Sequence, residues 1–314
     1  MYYVLYGFVY GLSLMPFWFI YGFADILYLL VYYVFGYRKG VVMDNLGHAF
    51  PSLSVSERRR IARRFYRNLI DNFLESVKLL TISPRELSKR FVCDYSLLER
   101  LYAEGKSCQV HLGHTFNWEY ANADFSSKTS FAFLVVYMPI GAPAVDRLFR
   151  KLRERFGTVL LPATDMKTAM IPYRNRQYAL TLVAEQNPGS PEKSYWCSFL
   201  GRPAPFVKGP ERGARLNNIP AVFVSLRKPR RGYYTASLSI GADEPRSLPE
   251  GELTLRFVRF MEREIREQPE IWLWSHRRWK WAYKEEYAGL RIDGGGATGP
   301  GGGFAGGAGP KDNI

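Results

Sequence analysis

Apolar and aromatic residues fill positions 4–35 almost without a break. The run is longer than the ~20 residues one membrane span needs and shorter than two spans with a turn. Pro16 and Asp25 interrupt it, which predicts a kinked or partly interfacial helix. No basic residue precedes the run, and Arg38 and Lys39 follow it. By the positive-inside rule the body of the chain is then cytoplasmic. A cleaved leader fits poorly, because a basic n-region is missing and the apolar run is too long. A buried core helix is the alternative, favoured by frequent Tyr and by the cost of Asp25 in lipid.

Downstream the pattern turns amphipathic. Ser54 and Glu57 form a capping box, and a helix is predicted from there to about Leu80. Ile61, Phe65, Leu69 and Phe73 recur every four residues, giving one apolar face. Arg58, Arg59, Arg60, Arg63, Arg64 and Arg67 load the early turns. Such a helix either lies on an anionic membrane surface or packs its apolar face and solvates its basic one. Residues 108–112, 130–137, 158–161 and 178–184 read as strands. Val145, Leu148, Phe149, Leu152 and Phe156 mark a helix, and residues 166–174 another. Residues 221–226 and 233–240 look like a late pair of strands, and Leu253, Phe257, Met261 and Ile265 mark a last long helix. This alternation predicts an α/β fold, a largely parallel central sheet flanked by helices. Connections in such sheets are right-handed, and ligands gather beyond the carboxyl ends of the strands. The expected organisation is an N-terminal membrane anchor at 1–36, one α/β domain at 37–285 and a disordered tail at 286–314, Gly-rich from Gly294.

Charge narrows the partners. A net charge of +14 and a pI near 9.6 call for an anionic one: nucleic acid, anionic lipid or an acidic carrier protein. No recognised nucleic-acid motif is present, and the apolar N-terminus argues for lipid. Cys93, Cys108 and Cys197 have no metal-ligand spacing and suggest no disulfide framework, so reduced thiols are expected.

The candidate chemistry sits where one strand gives way to a helix. Residues 108–112 end at Gly113, then come His114 and, five positions on, Glu119. On one helix these side chains would lie about 140° apart. They converge more easily with His114 in the loop and Glu119 on the helix. A carboxylate bonded to one imidazole nitrogen fixes the tautomer, so that the other can take a proton. That suits activation of a hydroxyl. With no Ser or Cys nucleophile at the same place, direct transfer is favoured over a covalent intermediate. A His-x4-Glu pair alone is a weak signal, since most such pairs are structural. His111, His114 and Glu119 as metal ligands is a rival reading. Strand alternation argues against it, because His111 then points away from the helix.

The surrounding blocks carry more. Asn45 and Leu46 with Ala49, Phe50 and Pro51, the His114-x4-Glu119 motif, and the basic helix end from Arg153 to Gly157 come in order. Glu185, Gln186, Asn187 and Pro188 follow. Then come residues 199–206 with 209–214, and the closing 269–280 stretch rich in Trp and Arg. Together, over the anchor and as far as about Tyr283, they resemble the late acyltransferases of lipid A biosynthesis, membrane-anchored relatives of the glycerolipid acyltransferases. Glu185 stands where Asp is commoner in that family. The resemblance implies O-acyl transfer without a cofactor or metal. His114 would be the general base, with Glu119 orienting it and stabilising its cation. The donor would be a thioester on acyl carrier protein. The acceptor would be a hydroxyl of a lipid A precursor, most simply the 3-hydroxyl of an attached hydroxyacyl chain. Arg153 and Arg155 would serve the oxyanion or an acceptor phosphate, or only a solvated helix face. Gln186 would support the site by a hydrogen bond. Gly209, with Glu211 and Arg212, would shape a turn on the acceptor side. Arg277, Arg278 and Lys280 among Trp residues suit a membrane interface, with His276 a packing or membrane-surface residue. The implied location is the bacterial inner membrane, facing the cytoplasm. Transfer to a lyso-phospholipid, aminolipid or glycolipid is the nearest alternative. A non-catalytic membrane lipid-binding protein is the alternative from another class.

Overall fold

The computed structural model describes residues 2–294. The N-terminal apolar run is two helices, α1 (Tyr2–Leu14) and α2 (Phe17–Leu29), the latter continuing as a π-helical turn, Leu30–Val34. Pro16 makes the break, as its missing N–H and fixed φ dictate. Asp25 does not interrupt α2. Its carboxylate meets the Arg231 guanidinium at 3.0 Å, which compensates the charge. Phe17–Val34 is long and apolar enough to cross a membrane, and only 17% of it is buried. Trp18, Phe19, Ile26, Leu29 and Val34 face outward.

After α3 (Lys39–Ala49), the long α4 (Val55–Lys78) starts at the predicted capping box, with Ser54 and Glu57 bonded reciprocally. Its apolar face holds Phe65, Tyr66 and Leu69 and is buried under α1 and α2. The face is therefore core, except that Phe73, expected on it, is exposed beside the basic side. Lys78 donates to the carbonyls of Ser13 and Met15, tying α4 to the α1–α2 corner.

The central sheet has seven strands. Its early members are β1 (Phe91–Cys93), β2 (Cys108–Leu112) and β3 (Ala132–Tyr137), with α5 (Pro84–Arg90) before β1, α6 (Ser96–Ala103) before β2 and α7 (Trp118–Lys128) before β3. Next come α8 (Pro143–Glu154), β4 (Val159–Pro162), the single turn α9 (Met166–Ala169) and β5 (Tyr178–Val183). A separate hairpin of β6 (Tyr195–Phe199) and β7 (Arg202–Phe206) leads to α10 (Gly209–Asn217). The chain closes with β8 (Ala221–Arg230), β9 (Tyr233–Ala242) and α11 (Glu252–Glu267). Sheet order is β1-β9-β8-β2-β5-β3-β4, parallel except for the β8–β9 pair. Alternation along β2 shows how it is covered. Val110 and Leu112 join the cluster of Tyr120 and Phe125 on α7, while the His111 ring packs edge-on against Phe257 of α11.

Three expectations change. The helix predicted over 166–174 is one α-turn between 3₁₀ turns, since Pro172 cannot continue a helix. The β6–β7 hairpin was hidden by Pro203 and Pro205, residues that argue against a strand unless it lies at an edge. Residues 286–293, expected in the tail, pack on that hairpin. Ile292 N–H donates to the Trp196 carbonyl at 2.9 Å, and the Ser198 N–H donates to Asp293 at 2.7 Å. The Gly-rich stretch from residue 295 lies outside the described residues.

Candidate active site

Sheet register brings the site together. β2 and β5 are parallel neighbours with Leu112 opposite Val183. The residues two positions beyond each strand are His114 and Glu185, so they emerge side by side at the carboxyl edge. His114 Nδ1 lies 2.9 Å from Glu185 Oε1, and the His114 backbone N–H donates to the same oxygen at 2.9 Å. Gly113 leaves room here for the Met261 side chain. A Cβ there would stand 2.1 Å from Met261 Cε and 3.6 Å from the Glu185 carboxyl carbon. The Glu185 carboxylate is fully buried. Burial alone would raise its pKa, but the His114 ring and N–H beside it outweigh burial and hold it below the ordinary 4.5. It therefore stays ionised and holds Nδ1 as the donor. That tautomer leaves Nε2 unprotonated.

The His114 loop is held from behind. Leu273 N–H donates to the His114 carbonyl at 3.1 Å, and Phe116 N–H to the Ile271 carbonyl at 2.9 Å. Asn45 Nδ2 reaches the carbonyls of Trp274 and His276, both at 2.8 Å. Asn187 Nδ2 donates to the Arg277 carbonyl and its Oδ1 accepts from Arg278, whose other nitrogen donates to the Pro205 carbonyl. The separate sequence blocks thus meet in one scaffold around the imidazole. On the helix side, Asn117 caps α7 by accepting from Tyr120 N–H, and its amide donates to the buried Glu75 at 2.9 Å. Glu75 also accepts from Tyr21 and Tyr234. Burial raises the pKa of Glu75 despite nearby Lys228 and these donors.

Glu119 does not hold the His114 Nδ1 proton, contrary to expectation. Its carboxylate is gripped by Arg153, with contacts of 2.5, 3.0 and 3.1 Å, and by Trp118 Nε1 at 3.1 Å. The reason is geometric: α7 carries Glu119 toward α8, while β5 delivers Glu185 to the imidazole. Glu119 and the Glu185-bonded His114 nevertheless line one cavity of about 460 Å³. Its mouth has His114, Trp118, Glu119, Arg153 and Gln186, and its depth is mostly apolar, with Val110, Phe125, Phe133 and Val135 beside the buried Asn122 and Thr181.

The other predicted residues separate. Arg153 and Gln186 line this cavity. Arg155 does not: its guanidinium donates to the Leu79 and Ile82 carbonyls at 2.6 and 2.8 Å, closing the end of α4. Gly209 lines a different cavity, behind the sheet. Arg277 is exposed and contributes its carbonyl to the scaffold. Arg278 is fully buried against Phe206 and Phe199, so it cannot meet a membrane surface. Burial pushes it down to about 10 and His276 to about 4, which leaves His276 neutral near pH 7. His111 Nε2 donates to Gln109 Oε1 at 2.7 Å, on the sheet face opposite α7. Sequence reasoning missed the orienting position of Glu185. It also missed Glu75, although a carboxylate four residues after Asp71 on the apolar side of α4 was a visible sign.

An α/β sheet with an imidazole–carboxylate pair over an apolar cavity suits an enzyme that handles fatty chains, and the class is acyltransferase. The family description of bacterial lipid A biosynthesis acyltransferases matches residues 1–281, and the chain belongs to that family. No curated protein matches it.

Proposed function

We propose that the protein moves a fatty acyl chain from acyl carrier protein to a hydroxyl of a lipid A precursor. The observation that carries this reading is the His114–Glu185 pair at the mouth of a 460 Å³ apolar cavity. His114 Nε2 takes the hydroxyl proton as the oxygen bonds to the thioester carbonyl carbon. The tetrahedral oxyanion collapses, the C–S bond breaks, and the departing thiolate receives the proton from His114. The products are a new ester and a free carrier thiol. Glu185 orients the imidazole and stabilises its cation. Glu119 assists through Arg153, which it holds charged at the mouth, where a guanidinium serves the oxyanion or an acceptor phosphate. Gln186 completes the polar rim. The donor chain occupies the apolar depth.

Charge and surface support the partners. Arg150 and Lys151 on α8 are exposed, a suitable face for an acidic carrier. The outer faces of α1 and α2 are apolar and fit a membrane, with residues 1–36 as the anchor. Because α2 is fixed along α4, only its outer face is free for lipid. The Arg38 and Lys39 side would face the inner-membrane cytoplasmic headgroups.

The test is acyl transfer by purified, detergent-solubilised protein. Carrier protein loaded with several chain lengths is offered with lipid A precursor and lyso-phospholipid together, and products are read by mass spectrometry. Acylated precursor that disappears in His114→Ala is expected. Acylation of lyso-phospholipid alone would move the function to membrane lipid synthesis. No product from folded protein would favour a lipid-binding role.

A further inference from the structure

A second apolar cavity, about 510 Å³, lies behind the central sheet from the reaction cavity. β2, β3 and β5 form the shared wall. Val110, Val135 and Thr181 point into the first cavity, and Gln109, Leu180 and Leu182 into the second, as strand alternation requires. The cavities are not independent. Val136, Ala163, Val183 and Val207 line both. Val136 and Val183 lie at the carboxyl ends of β3 and β5, the edge from which His114 and Glu185 emerge. The two cavities therefore meet near the sheet edge from which His114 emerges, and the second extends from there along β5. Tyr178 and Ile219 mark its far end. Tyr178–Val183 is a six-residue strand, about 20 Å long, which matches an extended long-chain acyl group.

The walls show what it accepts. Among the described residues no charged side chain lines it, whereas the first cavity has His114, Glu119 and Arg153 at its mouth. α10 forms one side through Gly209, Pro210, Gly213 and Asn217. A Cβ on Gly213 would come 3.0 Å from Gln109 Nε2, and one on Gly209, at the exposed end, would meet nothing within 4 Å. Met166 and Met170 form the other side, adaptable side chains suited to a flexible hydrocarbon.

We propose that this second cavity seats a hydrocarbon chain of the lipid acceptor while the first holds the donor chain. The assignment rests on the acyl-transfer reading above and follows from connectivity. A donor chain begins at the reacting carbonyl carbon, so it must run through the cavity that has His114 in its wall. An acceptor hydroxyl on a hydroxyacyl chain is a branch, so that chain need only pass the common rim and turn behind the sheet. The two chains then lie on opposite faces of the sheet, and their reacting atoms meet at its edge.

The test uses the full-length enzyme with two acceptors, a lipid A precursor and the same headgroup carrying short chains. Leu182→Trp and Met170→Trp fill the second cavity from half-buried positions. Each is expected to raise KM for the long-chain acceptor about tenfold, with KM for the short-chain acceptor and the donor chain-length profile unchanged. Val135→Trp, in the first cavity, is expected to shorten the preferred donor. A donor profile shifted by Leu182→Trp, or no change from either filling variant, would overturn the assignment. Because a variant can fail to fold, wild-type protein is also photolabelled with a precursor carrying a diazirine at the chain terminus. Label on peptides containing Met166, Met170 or Leu182 is expected. Label on Phe133 or Val135 instead would overturn it. Wild-type protein that labels behind the sheet but acylates no lipid would defeat the acyl-transfer reading and leave the chain site standing.

Discussion

Two buried carboxylates stand at or just behind the 460 Å³ cavity, one bonded to an imidazole and one to a guanidinium, and they are built differently. Glu185 is fully buried at a strand end and meets a titratable imidazole through both its ring and its backbone N–H. Glu119 stands on a helix, near the cavity mouth, and meets a guanidinium that is always charged. Only the first pair can change its proton state during a reaction. The second can fix a positive charge in place. Proximity in sequence misplaced the bonding partners: His114 and Glu119 are five positions apart yet bond elsewhere, while His114 and Glu185 are joined by register between parallel strands.

Substitutions should rank by this division. On the proposed mechanism His114→Ala removes the base and should lower kcat by about 10³-fold. Glu185→Gln keeps the volume but loses the fixed tautomer, and should cost about 10²-fold in kcat with acceptor KM little changed. Glu119→Gln loosens Arg153 and should act about tenfold, mainly on acceptor KM if the guanidinium grips a phosphate. Steady-state kinetics on the three variants checks the order. A larger kcat loss from Glu119→Gln than from Glu185→Gln would reverse the comparison.

Most of the α/β alternation was legible, because β2, β3 and β5 are short apolar runs bounded by turn residues and α4, α8 and α11 carry clear helical periods. His114, Arg153 and Gln186 were legible as candidates and share one cavity. The bond partner of His114 was not, because strand order is a non-local fact. Nothing in the one-dimensional pattern says that β5 lies beside β2 rather than beside β4. Arg278 misled for a related reason. A basic residue between Trp residues reads as interfacial, but its hydrogen bonds to Asn187 and Pro205 and its stacking on Phe206 draw it inside.

Acid stability offers a smaller, directional test of the same pair. The folded Glu185 carboxyl lies below its ordinary 4.5. Its contribution to stability is therefore complete above that value and is lost as pH falls through the folded value. Urea unfolding from pH 6 downward should show a shallower loss of stability in Glu185→Gln than in the wild type. An identical slope would mean that the carboxylate is not held as the geometry requires.

The smallest effect should come from the basic end of α8, where two nearby arginines part ways. Arg153 turns into the cavity, and Arg155 turns back to the carbonyls of Leu79 and Ile82. Those carbonyls sit at and just beyond the end of α4, where the backbone has run out of intrahelical donors. Burial lowers the pKa of Arg155, yet the side chain remains a charged donor at neutral pH. Arg155→Met keeps most of the apolar stem and removes the donors. It should cost about 1 kcal/mol of stability through the lost hydrogen bonds and change kcat/KM less than twofold. Thermal unfolding and the transfer assay check the two halves separately. If Arg155→Met lowered activity as much as Arg153→Met while leaving the unfolding midpoint unmoved, both arginines would belong to the reaction, and α8 would present one basic face to the substrate.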